Sequence, residues 1–155
     1  MIQEVAVKVY YTDNRFSFFN VDSLTTVAEL EEAIAKKLGL TDSRPFGLFD
    51  ASQRTATEFE ECFLEKSQRV LDIVSVWNRI YWEGREAEGK KAVGISKNYF
   101  LYKVKFYYEI DLSENSTLEL FYIQAINDVV GSRYPCTEQD SFALAALQAQ
   151  GEFGM

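Results

Sequence analysis

The chain has no histidine. That absence removes the commonest general base, the usual partner of a serine or cysteine nucleophile, and the commonest nitrogen ligand for zinc. No GxGxxG or GxxxxGK[ST] phosphate-binding loop occurs either. Carboxylates are numerous, yet none forms a close pair set in an apolar run, where a general-acid/base couple would be tuned. The sequence therefore offers no catalytic residue and calls for no metal and no cofactor.

Cysteine is almost as scarce. Cys62 and Cys136 lie far apart and form no CxxC pair, too little for a disulfide framework. Both read as small apolar fillers in a reducing compartment, which points to the cytoplasm. No apolar run approaches the roughly 18 residues that a membrane span requires. Met1-Ile2-Gln3-Glu4 carries no basic leader, so a soluble protein without a secretory signal is expected.

Core material is not lacking. Hydrophobic residues make up 47% of 155 positions, with twelve Phe, nine Tyr and two Trp, enough for one domain or one and a half small ones. The formal net charge of −8 is unevenly spread. Residues 109 to 155 hold eight acids against Arg133 alone, whereas residues 79 to 105 hold seven bases against three acids. An acidic chain is a poor generic binder of nucleic acid or anionic lipid, so no nucleic acid and at most weak membrane contact are expected.

Val5, Val7, Val9 and Tyr11 alternate with polar neighbours as a half-buried strand does. Thr12-Asp13-Asn14-Arg15 supplies a turn, and Phe16, Phe18, Phe19 and Val21 a second strand of a hairpin. Thr26 and Glu29 then make a capping box, Gly39 a left-handed C-cap, and Val27, Leu30, Ile34 and Leu38 one apolar helix face. Phe46 to Phe49 reads as a short strand. Val70, Ile73, Val74 and Trp77 share a helical face within residues 63–77, and residues 99–108 read as a strand with Phe100, Tyr102, Val104, Phe106 and Tyr108 on one side. The glycine-rich, aperiodic stretch 82–98 reads as a surface loop or ragged hairpin. Helices follow at 116–130, with Leu118, Phe121, Ala125, Ile126, Val129 and Val130 repeating at three and four, and at 138–150, capped by Thr137.

Hairpin, helix and short strand in that order is the β-grasp pattern of ubiquitin. The strings FLYKVKFYYEIDL (100–112), LFYIQAINDVVGSRYPC (120–136) and YPCTEQDSFALAALQAQGEFG (134–154) resemble FERM domains, most of all those in the tails of unconventional myosins. The resemblance implies an α+β fold: a ubiquitin-like first lobe at 1–108, then the first two helices of an acyl-CoA-binding-protein-like helical lobe at 109–155. It implies a non-catalytic module that docks protein partners (cargo, adhesion or motor segments) and links them to actin at the cytoskeleton or cell cortex. A FERM scaffold joining membrane receptors or phosphoinositides to cortical actin, or a kinesin-type tail, are the alternatives. A complete FERM domain goes on through further helices into a pleckstrin-like third lobe.

Two groups are candidate sites. Arg85, Lys90, Lys91 and Lys97 form either a patch for an acidic partner or lipid or a solvated loop, with Glu86 and Glu88 diluting the field. Trp82 lies beyond the periodic face that assigns Trp77 to the core, and is the candidate docking aromatic. Nothing in the sequence sets the oligomeric state.

Overall fold

A computed structural model describes residues 3–53, 59–88, 97–107, 109, 111 and 113–154. In chain order the elements are β1 (Val5–Tyr11), β2 (Phe16–Val21), α1 (Val27–Leu38), β3 (Phe46–Gln53), β4 (Phe59–Phe63), α2 (Val70–Glu88), β5 (Lys97–Val104), α3 (Asn115–Val130) and α4 (Glu138–Phe153).

The five strands make one mixed sheet ordered β2-β1-β5-β3-β4. β1 runs antiparallel to β2, with Val7 opposite Phe19, and Asn14 takes a left-handed φ of 66° at the hairpin tip. β1 and β5 are parallel, pairing Val9 with Phe100 and Tyr11 with Tyr102. β3 runs antiparallel to both β5 and β4. α1 crosses one face, and Val27, Leu30 and Ile34 are all but sealed beneath it with Val9, Leu48, Phe100 and Tyr102. This is the β-grasp arrangement.

The ends of α1 are fixed as its sequence dictates. The Thr26 hydroxyl accepts from the Glu29 N–H while the Glu29 carboxylate accepts from the Thr26 N–H at 2.7 Å. Gly39, at φ 69°, closes the helix and donates to the Ala35 and Lys36 carbonyls. Backbone bonds from Val27 to Gln68 and from Val70 to Thr25 then tie the starts of α1 and α2 together. On α2, Trp77 packs on Phe100 at 4.5 Å between ring centres, and its indole N–H donates to Asp50 at 2.9 Å. Trp77, partly buried, packs against the core cluster, on the side its period requires.

Five details differ from the sequence reading. Val5 is 41% exposed instead of buried, because β1 meets β5 only from Val9 onward and Val5 has only β2 beside it among the described residues. β4 went unrecognised: FEECF carries adjacent acids, and its period of two shows only once Phe59, Glu61 and Phe63 are seen on one face. β3 runs on to Gln53. α2 continues to Glu88 through the stretch read as a loop, since its one glycine there, Gly84, sits among good helix formers and costs only about 1 kcal/mol. The last strand is Lys97–Val104, and Phe106 beyond it is half exposed. Tyr108 and residues 89–96 lie outside the described residues.

Gly47 in β3 leaves room for the Phe63 ring of β4: a Cβ there would sit 2.6 Å from a ring carbon and 3.2 Å from the Lys105 side chain. α3 crosses the end of the sheet where β1 and β5 finish and β3 begins. Leu120 and Phe121 enter the core cluster, and the Phe121 ring meets Phe46 and Tyr107 edge-on. The face of α3 that seats there is Thr117, Leu120, Phe121, Gln124 and Asp128, three of them polar. Val130, expected on the packed face, is instead 79% exposed.

Candidate functional site

The polar residues of α3 explain its seating. The Gln124 amide donates to the Val104 carbonyl at 2.9 Å, and its oxygen accepts from the Val104 N–H at 2.7 Å. The side chain thus continues the ladder where β5 runs out. Asn127 donates to the Thr12 carbonyl at 2.7 Å, and the Thr41 N–H donates to the Glu114 carboxylate at 2.6 Å. Such paired polar groups fix direction, since a buried donor or acceptor left unmatched costs about 1–3 kcal/mol.

Past α3, Ser132 takes a left-handed φ of 55° and swings Arg133 back over the first lobe. Arg133 pairs with Glu61 of β4 at 3.2 Å and with Asp128 at 3.4 Å, and Lys103 of β5 pairs with the same Glu61. The one base of residues 109–155 is thereby held against the sheet. Tyr107 donates to Asp128 at 3.1 Å; burial first, and then the neighbouring carboxylate, hold its hydroxyl protonated well above the usual tyrosine range.

This network borders the sheet face opposite α1, which is a wide aromatic surface. Tyr10 lies 5.7 Å from Phe16 and 5.4 Å from Tyr99, and Phe16 lies 5.8 Å from Phe18. The Lys8 ammonium stands 3.8 Å above the Phe16 ring. At the other edge Phe49 meets Phe63, over which Lys105 reaches. Phe16, Phe18, Phe59 and Phe63 are each about half exposed. The sequence carried this signal in its alternation, for Lys8 and Tyr10 fall opposite the buried Val7, Val9 and Tyr11. The strand order that sets them beside Tyr99 was not readable.

The predicted sites fare differently. Trp82 is 59% exposed near the outer end of α2, against Tyr81 and close in sequence to the half-exposed Ile80. Lys97 is exposed at the start of β5. Lys90 and Lys91, and the side chain of Arg85, lie outside the described residues. Cys62 and Cys136 are free; Cys62 is exposed, not a core filler.

Among the described residues no cluster of metal-binding side chains occurs, and no helix is long and apolar enough to cross a membrane. Open depressions lie beside α1 and α2, the first lined by Glu31, Lys36 and Lys66 among others. The geometry offers surfaces for contact.

The profile of the RA like domain matches residues 3–106, and that of the FERM central domain matches residues 109–155. Talin of Oscarella pearsei is 24% identical over 152 residues, 93% of this chain and 6% of talin. The MF2 MyTH4-FERM domain of Dictyostelium discoideum myosin VII superposes with a TM-score of 0.74 at 16% identity, over 96% of this chain and 29% of that one. The C-terminal MyTH4-FERM domain of human myosin 7b, solved in complex with the harmonin-a PDZ3 domain, gives 0.67 at 18% identity over 97% of this chain and 29% of that one. The chain thus spans a small part of its relatives. Both profile matches fall in order on the sheet lobe and on the helices that follow it, and the chain belongs to the FERM family of non-catalytic protein-interaction modules.

Proposed function

We propose that the chain is the first lobe and the opening of the second lobe of a FERM module in a cytoskeletal protein of myosin-tail type, where it helps dock protein partners and link them to actin. The observation that carries this reading is the myosin VII likeness, which extends over 96% of the chain and so includes α3 seated on the sheet lobe. The talin match adds a second cytoskeletal relative. By analogy with the myosin 7b complex, the partner is a protein domain or segment. In this reading residues 1–108 are the first lobe and 109–155 the second. The exposed end of α2, with Trp82 and the bases Arg85, Lys90, Lys91 and Lys97 near it in sequence, is one docking surface.

Expression of the chain fused to a fluorescent protein tests the cytoskeletal assignment. Enrichment at the actin-rich cortex, lost on actin depolymerisation, is expected. A uniformly diffuse signal from folded protein would overturn it. The purified chain should also turn over neither ATP nor GTP above a heat-inactivated control.

A further inference from the structure

The sheet has two edges, and they are guarded unequally. β4 is short and carries Glu60 and Glu61, charges of the kind that keep an edge from pairing. β2, with the sequence FSFFNV, carries no charge and no proline, and its register with β1 runs from Phe16 to Val21 without a bulge. No strand lies along its outer side among the described residues. The bases Lys8 and Lys37 beside it are drawn over Phe16 and Phe19 of their own lobe. An uncharged aromatic strand with a free edge is a template for another strand.

The hairpin fixes which groups that edge presents. The Tyr11 N–H donates to the Arg15 carbonyl at 2.9 Å, so in the alternation of an antiparallel ladder Ser17, Phe19 and Val21 bond to β1. The backbone groups of Phe16, Phe18 and Asn20 therefore point outward. Their side chains stand on the sheet face away from α1, where Phe16 is 49% and Phe18 57% exposed. A second β2 laid antiparallel, with Phe18 opposite Phe18 and Phe16 opposite Asn20, matches outward groups to outward groups in roughly six hydrogen bonds and keeps the faces in step. Arg15 at one end of the strand then comes beside Val21 and Asp22 at the far end of the second copy, so opposite charges meet.

We propose that two copies of this chain pair through β2, joining their five-stranded sheets edge to edge about a twofold axis at Phe18. The contact is isologous, so it closes at two copies and leaves no further β2 edge free. It rests on the first lobe alone and goes beyond the FERM assignment, because it concerns a self-contact and not a cargo. Its area falls in the weak class, under about 1,200 Å², so the pairing depends on concentration.

Sedimentation equilibrium of the full chain, up to about 1 mM, tests it. A monomer–dimer equilibrium is expected. Phe18→Lys and Phe18→Glu set like charges opposite each other across the axis and should each weaken association about tenfold or more. The far-ultraviolet spectrum should not change, since position 18 is exposed. An equimolar mixture of F18K and F18E should restore pairing as a heterodimer, as a residue that faces its own copy requires. Phe18→Pro, which removes an outward N–H and no bond to β1, should weaken association as well. A monomer at all these concentrations would overturn the proposal and leave the edge to a strand of a different protein. Open-ended polymers, association indifferent to charge at position 18, or a mixture that stays monomeric would overturn it too.

Discussion

Gln124 fixes the joint between lobe and helix through its amide, beside the apolar anchors Leu120 and Phe121. Its amide satisfies both backbone groups of Val104, a buried residue at the end of β5. Gln124→Leu keeps the volume and removes both bonds. Urea unfolding of the full chain should show a loss of about 1–3 kcal/mol. Val130→Ser, at a 79% exposed position on the same helix, should change stability by less than about 0.5 kcal/mol. A period search ranks these two residues in the opposite order, because it counts apolarity and Gln124 acts through its amide.

The carboxylates set the acid limit. Glu29 is held below its usual value near 4.5 by the Thr26 N–H and then the Thr26 hydroxyl, and Glu114 chiefly by the Thr41 N–H. Asp22 is lowered by the Leu24 N–H and the Thr25 hydroxyl, and Asp111 by the Ser113 hydroxyl and N–H. Each carboxyl is more acidic folded than unfolded, so its contribution is complete above the unfolded value and fades as pH falls through the folded one. The thermal midpoint should therefore be nearly flat from pH 8 to 6 and fall below about pH 4.5. Glu29→Gln should flatten part of that fall.

At the scale of elements, Arg133 ties the α3–α4 turn to β4 through Glu61 and to α3 through Asp128. With its side chain 46% exposed, the tie is screened and contributes modestly to global stability. Its effect is local. Arg133→Ala should speed amide exchange at residues 129–137 several-fold while moving the urea midpoint little; unchanged exchange there would show that Ser132 and the backbone hold the turn unaided. Here the elements themselves were largely legible. The hairpin turn, the capping box at Thr26, the Gly39 stop and the Thr137 cap all use local chemistry written within four residues. What stayed hidden was non-local: the β3–β4 pairing, the parallel partner of β1, and the choice of α3's Thr117 and Gln124 over Val129 and Val130 for the inward face. The aromatic sheet face falls in the same class. Its rings come from β1, β2, β5, β3 and β4, and only the strand order gathers them.

At the scale of the whole molecule, the parallel pairing of Val9 with Phe100 carries a consequence in time. The ribosome releases β1, β2 and α1 first, yet the strand that lies between β1 and β3 comes last in the lobe. Until β5 emerges, the nascent chain holds a hairpin and a separate β3–β4 pair with no strand between them, both offering unpaired edges. Non-local closure of this kind is slow, since the loop entropy is spent before the contacts form. A chain arrested after Glu88 should accordingly remain sensitive to protease and recruit chaperones, whereas one extended past Val104 and α3 should become resistant. Protection appearing before residue 97 has left the exit tunnel would mean that the outer strands find a stable arrangement without their centre.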